Sequence, residues 1–246
     1  LYVHNRKTFH SFRMACLIPE TTYYHLPGIL TISPFGSPHS MNKKALSETD
    51  IRTKFITPAI CGEDGAGWDL MTQVREEFYF TKGRVIVQGK TTRRGEGKKA
   101  DYLLFYKPNL PIAIIEAKDN NHSVGDGMQQ ALEYAQVLDV PFVYSSNGDA
   151  FLEHDRTQTG GTVTREIPLD QFPSPEALWY RYRQWKQLSP EQAAITVQDY
   201  YDDGTNKTPR YYQHIAINRT VEAIARGQDR ILLVMATGTG KTYTAF

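Results

Sequence analysis

Two uninterrupted apolar runs, Tyr102-Leu103-Leu104-Phe105 and Ile112-Ala113-Ile114-Ile115, lie close together in the chain and are bounded by charge. Asp101 opens the first, and Glu116 and Lys118 close the second. Short apolar runs of this kind read as strands. Alternate residues of a strand face the same side, so the Glu116-Ala117-Lys118 spacing sets a carboxylate and an ammonium together, and pairing of the two strands brings Asp101 beside them. A charged pair directly after a continuous apolar strand is expected either at an exposed end or inside a functional cleft.

The surrounding segments supply a frame for these strands. Ser47 is placed to cap a helix that runs through Ile51, Phe55 and Ile56 and stops before Pro58, with Asp50 three residues on from the cap. After the turn Cys61–Gly67, the segments Glu77–Phe80, Arg84–Gln88, Ala100–Tyr106 and Ile112–Ala117 form a small β-meander in this reading. A helix follows from about Gly127 to Leu138, with Met128, Ala131, Leu132 and Ala135 as its apolar stripe and Gln130 and Tyr134 on the roughly opposite face. Phe142–Ser145 and Phe151–Glu153 flank the turn Ser146–Asp149 and read as a closing hairpin. Residues 1–40 show no helical or strand period, and the expectation is a poorly structured extension, with Met41 as the true start. The remaining divisions are a domain over 41–167, a connector over 168–205 carrying a short helix through Trp179–Lys186, and a further domain from 206, with Asp202–Lys207 as the best boundary.

Composition narrows the classes without choosing among them. With 40% hydrophobic residues in 246, the chain can bury at least one core. Lys+Arg number 28 against 27 Asp+Glu, so a polyanion partner has to be met by local clusters rather than by overall charge. Two isolated cysteines favour a reducing compartment, and the cytoplasm is the expected location. No window approaches the length of a membrane helix.

Two carboxylates converging with a lysine suit phosphodiester hydrolysis. Hard oxygen ligands hold Mg²⁺ with waters kept in its shell, and the ion polarises a phosphate and acidifies a bound water. A lysine orients or deprotonates that water, or stabilises charge developing on phosphorus. Solvated charges at strand ends are the plain alternative. Arg93-Arg94 and Lys98-Lys99 are natural phosphate contacts, and the aromatic and basic run Trp179–Lys186 is suited either to DNA or to helix packing. Glu48, on the first helix, offers a further carboxylate to such a site, although solvated surface is the reading favoured for it.

The end of the chain carries a second chemistry. Ile231–Met235 reads as a buried strand leading into Ala236-Thr237-Gly238-Thr239-Gly240-Lys241-Thr242, the pattern in which backbone N–H groups cradle phosphates, a lysine reaches them and a threonine hydroxyl binds Mg²⁺. Met235 stands where the consensus loop has its first Gly. A helix over Tyr211–Arg226, stopped by Gly227, precedes that strand.

Asp101, Glu116-Ala117-Lys118 and Gln130-Ala131-Leu132-Glu133-Tyr134 resemble the nuclease core named for its Pro-Asp…(Asp/Glu)-x-Lys signature, with the added Gln-x-x-x-Tyr element of RecB-like nucleases and of the restriction (R) subunit of type I restriction–modification enzymes. Ala100 replaces the signature Pro, a position that shapes a turn rather than doing chemistry. The loop Thr237–Thr242 and the preceding Gln213 are similar to the Walker loop and adenine-reading element of superfamily 2 motors. The resemblance covers residues 41–246. It implies an α/β fold: a PD-(D/E)xK-type nuclease domain with a central mixed sheet flanked by helices, then the start of a RecA-like domain. It further implies Asp101 and Glu116 as metal ligands, Lys118 as catalytic, Gln130 and Tyr134 as positioning residues, and Gln213, Thr237, Gly238, Thr239, Gly240, Lys241 and Thr242 as the ATP site. Mg²⁺ and ATP would be the cofactors, and double-stranded DNA with methylation and specificity subunits the partners. The second motor strand and second lobe are missing, so ATP hydrolysis by this chain alone is not expected. The alternatives are a recombination or repair helicase–nuclease, and a non-catalytic ATP-binding or assembly module.

Overall fold

The computed structural model describes residues 42–81, 85–88, 91–94, 97–161, 163–200 and 208–245, with backbone only for 85–88 and 91–94. A six-stranded mixed sheet is its centre: β1 (Val74–Thr81), β4 (Gly97–Lys107), β5 (Leu110–Ala117), β6 (Phe142–Ser146), β7 (Ala150–Asp155) and β8 (Thr164–Pro168), side by side in that order. Neighbours pair antiparallel except β5 and β6, which run parallel. A parallel step needs a crossover of a dozen or more residues, and here it is supplied by α3 (Met128–Leu138). The segments β2 (Val85–Gln88) and β3 (Thr91–Arg94) pair with each other in a separate two-stranded ribbon. The expected meander is thus corrected: β1 joins β4 directly, and Val85–Gln88 pairs with Thr91–Arg94 instead, while Arg84 lies outside the described residues.

The two apolar runs of the sequence occupy the middle of the sheet, and both of its faces are covered. Tyr102, Leu104, Ala113, Ile115, Phe142 and Tyr144 join one core with Ile51, Ile56, Ile60 and Leu178. Their neighbours Leu103, Phe105, Ile114 and Val143 join the other with Ala131, Ala135 and Leu138 of α3. Burial on both faces is why these strands read as continuous apolar runs rather than alternating ones.

On the first face, Ser47 closes a capping box with Asp50 over α1 (Glu48–Ile51). The helix does not stop before Pro58. A single π turn, Arg52–Ile56, widens the ladder so that the Thr57 N–H reaches the Arg52 carbonyl, and α2 (Thr57–Cys61) continues with Pro58 in its first turn. Pro58 gives up one donor of that ladder, and the π turn directly before it is the place where the helix is already widened. α4 (Pro175–Lys186) packs on the same face, stacking Trp179 on Tyr106 at 4.7 Å and on Tyr182 at 5.4 Å. The short helix expected in the connector is therefore present. Trp179 and Tyr182 of its aromatic run serve packing, while Tyr180 and Trp185 stay exposed.

α5 (Pro190–Thr196) and α6 (Tyr211–Ala225) follow, and Gly227, at φ +76°, ends the second as expected. Asp202–Lys207 lies outside the described residues, apart from its neighbours on either side. Ile231–Met235 forms no strand, contrary to expectation: Leu232 is 88% and Val234 85% exposed. An apolar segment becomes a buried strand only where a sheet receives it, and no described strand pairs with this one. No helix among the described residues is long and apolar enough to cross a membrane.

Candidate active site

The antiparallel register of β4 and β5 pairs Tyr102 with Ile115 and so sets Asp101 directly across from Glu116. Both side chains are buried, Glu116 to 1% exposure. Asp101 Oδ2 accepts the Ala117 N–H at 2.8 Å, and Glu116 Oε1 accepts the Asp101 N–H at 3.4 Å. Burial, and then the neighbouring Asp101 charge, push the Glu116 carboxyl up to about 9. The pair is held in place by strand backbone, with no net compensation of its charge from within.

Lys118 follows β5, half-exposed, its N–H bonded to the Ser146 carbonyl at 2.9 Å, and its charge offsets part of that shift on Glu116. Gln130 meets the pair through Nε2, which donates to Glu116 Oε2 at 2.7 Å. α3 approaches this closely because Gly127 has no side chain: a Cβ there would lie 2.7 Å from Ser145 Oγ and 3.2 Å from Glu116 Cβ. Tyr134 does not face away from the apolar stripe as the helical wheel suggested. It is buried beside Ala131, Ala135 and Leu138, edge-on to Phe80 at 5.1 Å and beneath the Lys98 ammonium at 5.0 Å. The buried face of α3 is centred one position round from the stripe read from sequence, since Met128 and Leu132 are only partly covered. Burial and the Glu116 charge raise the Tyr134 hydroxyl above its ordinary range.

Two residues of the site, Arg52 and Glu77, escape the sequence, and a third, Glu48, is favoured there as surface. Glu48 is not plain surface: it is half-buried, and burial followed by the Asp101 charge raises its carboxyl while Lys118 lowers it. Arg52, in the π turn, brings a buried guanidinium to the acidic pair, 3.6 Å from Asp101 Oδ1, with a bond from its NH2 group to the Asp101 carbonyl at 3.4 Å and the Tyr102 ring beneath it at 4.9 Å. Glu77, on β1, takes the other side of that guanidinium. A π turn at a functional site was the available signal, but nothing in the sequence marks one.

Among the described residues no three His, Cys, Asp or Glu gather into a ligand cage. The donor set is instead two hard, buried carboxylates whose mutual repulsion a dication would relieve. This fits an ion that keeps several waters and takes one or two carboxylates with substrate phosphate. Arg93 and Arg94 lie outside the residues whose side chains are described, whereas Lys98 pairs with Glu133 at 3.2 Å and Lys99 with Glu77.

At the other end, Gly238 (φ +79°) and Gly240 (φ +81°) adopt the left-handed backbone of a tight loop before α7 (Lys241–Ala245). Gln213 is buried and joins this loop, donating to the Thr239 carbonyl at 3.1 Å while accepting the Arg210 N–H at 2.8 Å. Lys241 Nζ donates to the Met235 carbonyl at 3.3 Å, and Thr237 and Thr242 remain exposed. The fold thus gathers Gln213 with the glycine loop, although they are far apart in the sequence.

Residues 77–161 match the family described as "Type I restriction enzyme R protein N terminus", and residues 206–246 match "Type III restriction enzyme, res subunit". The chain is 53% identical over 207 residues to the type I restriction enzyme EcoAI endonuclease subunit of Escherichia coli, covering 84% of this chain and 25% of that protein. It is 25% identical to the EcoKI endonuclease subunit of Escherichia coli strain K12, covering 82% and 21%. A solved fragment of an HsdR subunit of a type I restriction enzyme from Vibrio vulnificus YJ016 superposes with a TM-score of 0.69 at 41% identity, covering 82% of this chain and 37% of that one. Over these segments the chain resembles the N-terminal part of type I restriction R subunits, and it spans about a quarter of the length of the curated relatives it matches.

Proposed function

We propose that this chain supplies the DNA-cutting domain of a type I restriction enzyme, a Mg²⁺-dependent nuclease of the PD-(D/E)xK kind, followed by the start of a RecA-like, ATP-driven DNA motor. The observation that carries the reading is the burial of Asp101 and Glu116 directly across from one another at the end of central strands, with Lys118 near enough for its charge to act on Glu116. Asp101 and Glu116 would hold the ion, and Glu48 stands near enough for its carboxyl to feel the same charges. Bound there, Mg²⁺ supplies a polarised phosphate and an acidified water. Lys118 orients that water or meets the charge developing on phosphorus. Gln130 holds Glu116 through its amide, and Tyr134 buttresses α3 against the sheet.

In the motor segment, Lys241 and Thr242 follow a loop whose two left-handed glycines suit close approach of phosphates, and Gln213 reads adenine while bridging to that loop. Double-stranded DNA is the substrate in this reading, and methylation and specificity subunits are the partners.

In the complete subunit assembled with those partners, Lys118→Ala is expected to abolish DNA cleavage while ATPase activity and thermal stability stay near wild type. Lys241→Ala is expected to remove ATP hydrolysis, and cleavage with it. Normal cleavage by Lys118→Ala would refute the catalytic assignment.

A further inference from the structure

Arg52 is held between two carboxylates that face each other across strands. The pairings Glu76 with Tyr102 and Phe78 with Ala100 set Glu77 opposite Asp101. Glu77 itself has φ +55°, a left-handed conformation costly for a residue with a side chain and one that accumulates at functional sites. It breaks the ladder there, and its carboxylate takes a charge-assisted bond from Arg52 and an ion pair from Lys99. The same Arg52 NH1 atom stops 3.6 Å from Asp101 Oδ1, too far for a hydrogen bond. Besides Glu77, the guanidinium meets the Asp101 carbonyl at 3.4 Å, Glu76 at 3.8 Å and the Tyr102 ring at 4.9 Å, while its buried Nε has no hydrogen-bond partner.

The consequence concerns the oxygens of Asp101. Oδ2 is committed to the Ala117 N–H. Were Arg52 to close on Oδ1, that oxygen would accept a charge-assisted hydrogen bond, about twice as strong as a neutral one, and neither oxygen would be readily free. The strained residue opposite Asp101 draws the guanidinium the other way. We propose that Glu77 is a positioning residue for the metal site, holding the Arg52 guanidinium off Asp101 so that Oδ1 stays open to a divalent cation. This rests on the nuclease reading above.

The test is calorimetric titration of Mn²⁺ into the intact subunit without DNA, backed by thermal melts. Wild type should bind in a manner lost in Asp101→Ala. If it does not, the nuclease reading itself fails. Given that binding, Glu77→Gln frees Arg52 to close on Asp101 and should weaken Mn²⁺ about tenfold, the worth of one charge-assisted bond. In an Arg52→Met background the same Glu77→Gln change should have no effect, because nothing remains to be held off. A merely electrostatic contribution of Glu77 would persist in both backgrounds, and a merely structural one would appear as a lower melting temperature. Should Arg52→Met fail to fold, Glu77→Asp, which keeps the charge, should recover most of the affinity lost in Glu77→Gln. Wild-type affinity in Glu77→Gln, an equal loss with and without Arg52, or an aspartate variant as weak as the glutamine one would each overturn the assignment.

Discussion

Replacing Arg181 with methionine should cost the domain built on the six-stranded sheet about 3 kcal/mol, and the cost should shrink in acid. Arg181, on α4, donates to Glu153 Oε1 and to Asp155 Oδ2, both at 2.7 Å, and lies 4.5 Å over the Phe142 ring. The two carboxylates are buried on β7. Removing one partner of a buried ion pair typically costs about 3–5 kcal/mol, because the other charge is left uncompensated. The lower end applies here. Glu153 keeps bonds from the Tyr144 hydroxyl and Arg165, Asp155 keeps the Thr157 N–H and hydroxyl, and methionine retains much of the apolar contact with Phe142. For a unit of this size that is a fall of about 6–12 °C in melting temperature.

The pH dependence follows from the same contacts. Burial raises both carboxyls, but their bonds to Arg181 and its neighbours outweigh it, so both sit below their ordinary values. A carboxylate depressed in the folded state contributes stability that is present above its unfolded value, near 4.5 for Glu153, and is lost as the pH falls through the folded one. Wild type therefore loses stability in acid that Arg181→Met no longer has to lose, and the gap between them should narrow between about pH 5 and pH 3. Circular-dichroism melts across that range decide it. A deficit below about 1 kcal/mol at neutral pH, or one that stays constant on acidification, would refute the account.

Glu116→Gln should leave the domain at least as stable as wild type at pH 7, because the native carboxyl, pushed up to about 9, holds a proton there that the unfolded chain releases. Stability from that proton is present below about 4.5 and is lost as pH rises toward 9, so between pH 6 and 9 the variant should gain about 3–4 kcal/mol on wild type in denaturant titrations. Gly127→Ala should cost about 1–3 kcal/mol and slow cleavage, since its Cβ would drive α3, and with it Gln130, away from Glu116; unchanged rate and stability would argue against the close approach. Trp179→Ala, which unstacks Tyr106 and Tyr182 from a buried ring, should cost about 3–5 kcal/mol in the same titrations, with DNA affinity of the folded protein unchanged if the aromatic run of α4 serves packing alone.

The sequence by itself determined what depends on neighbours along the chain. The Ser47–Asp50 cap, the extent of α3, the end of α6 at Gly227 and the strand character of 102–105 and 112–115 all follow from local hydrogen bonding and apolar period. The facing of Asp101 and Glu116 was legible too, because two strands joined by a short turn have little choice but to pair antiparallel. Only the tertiary structure decided the rest. The parallel pairing of β5 with β6 and the mostly exposed edge strand β8 come from register between segments that carry no local mark of one another. Tyr134 turned inward because the sheet, rather than the helix's own apolar stripe, sets which face of α3 is covered. Ile231–Met235, apolar enough for a core, stays exposed because no described strand receives it. Arg52 and Glu77 were invisible for the same reason: their charges matter through a distance to Asp101 across the fold, and sequence spacing encodes contacts along an element but not contacts between elements that only packing brings together.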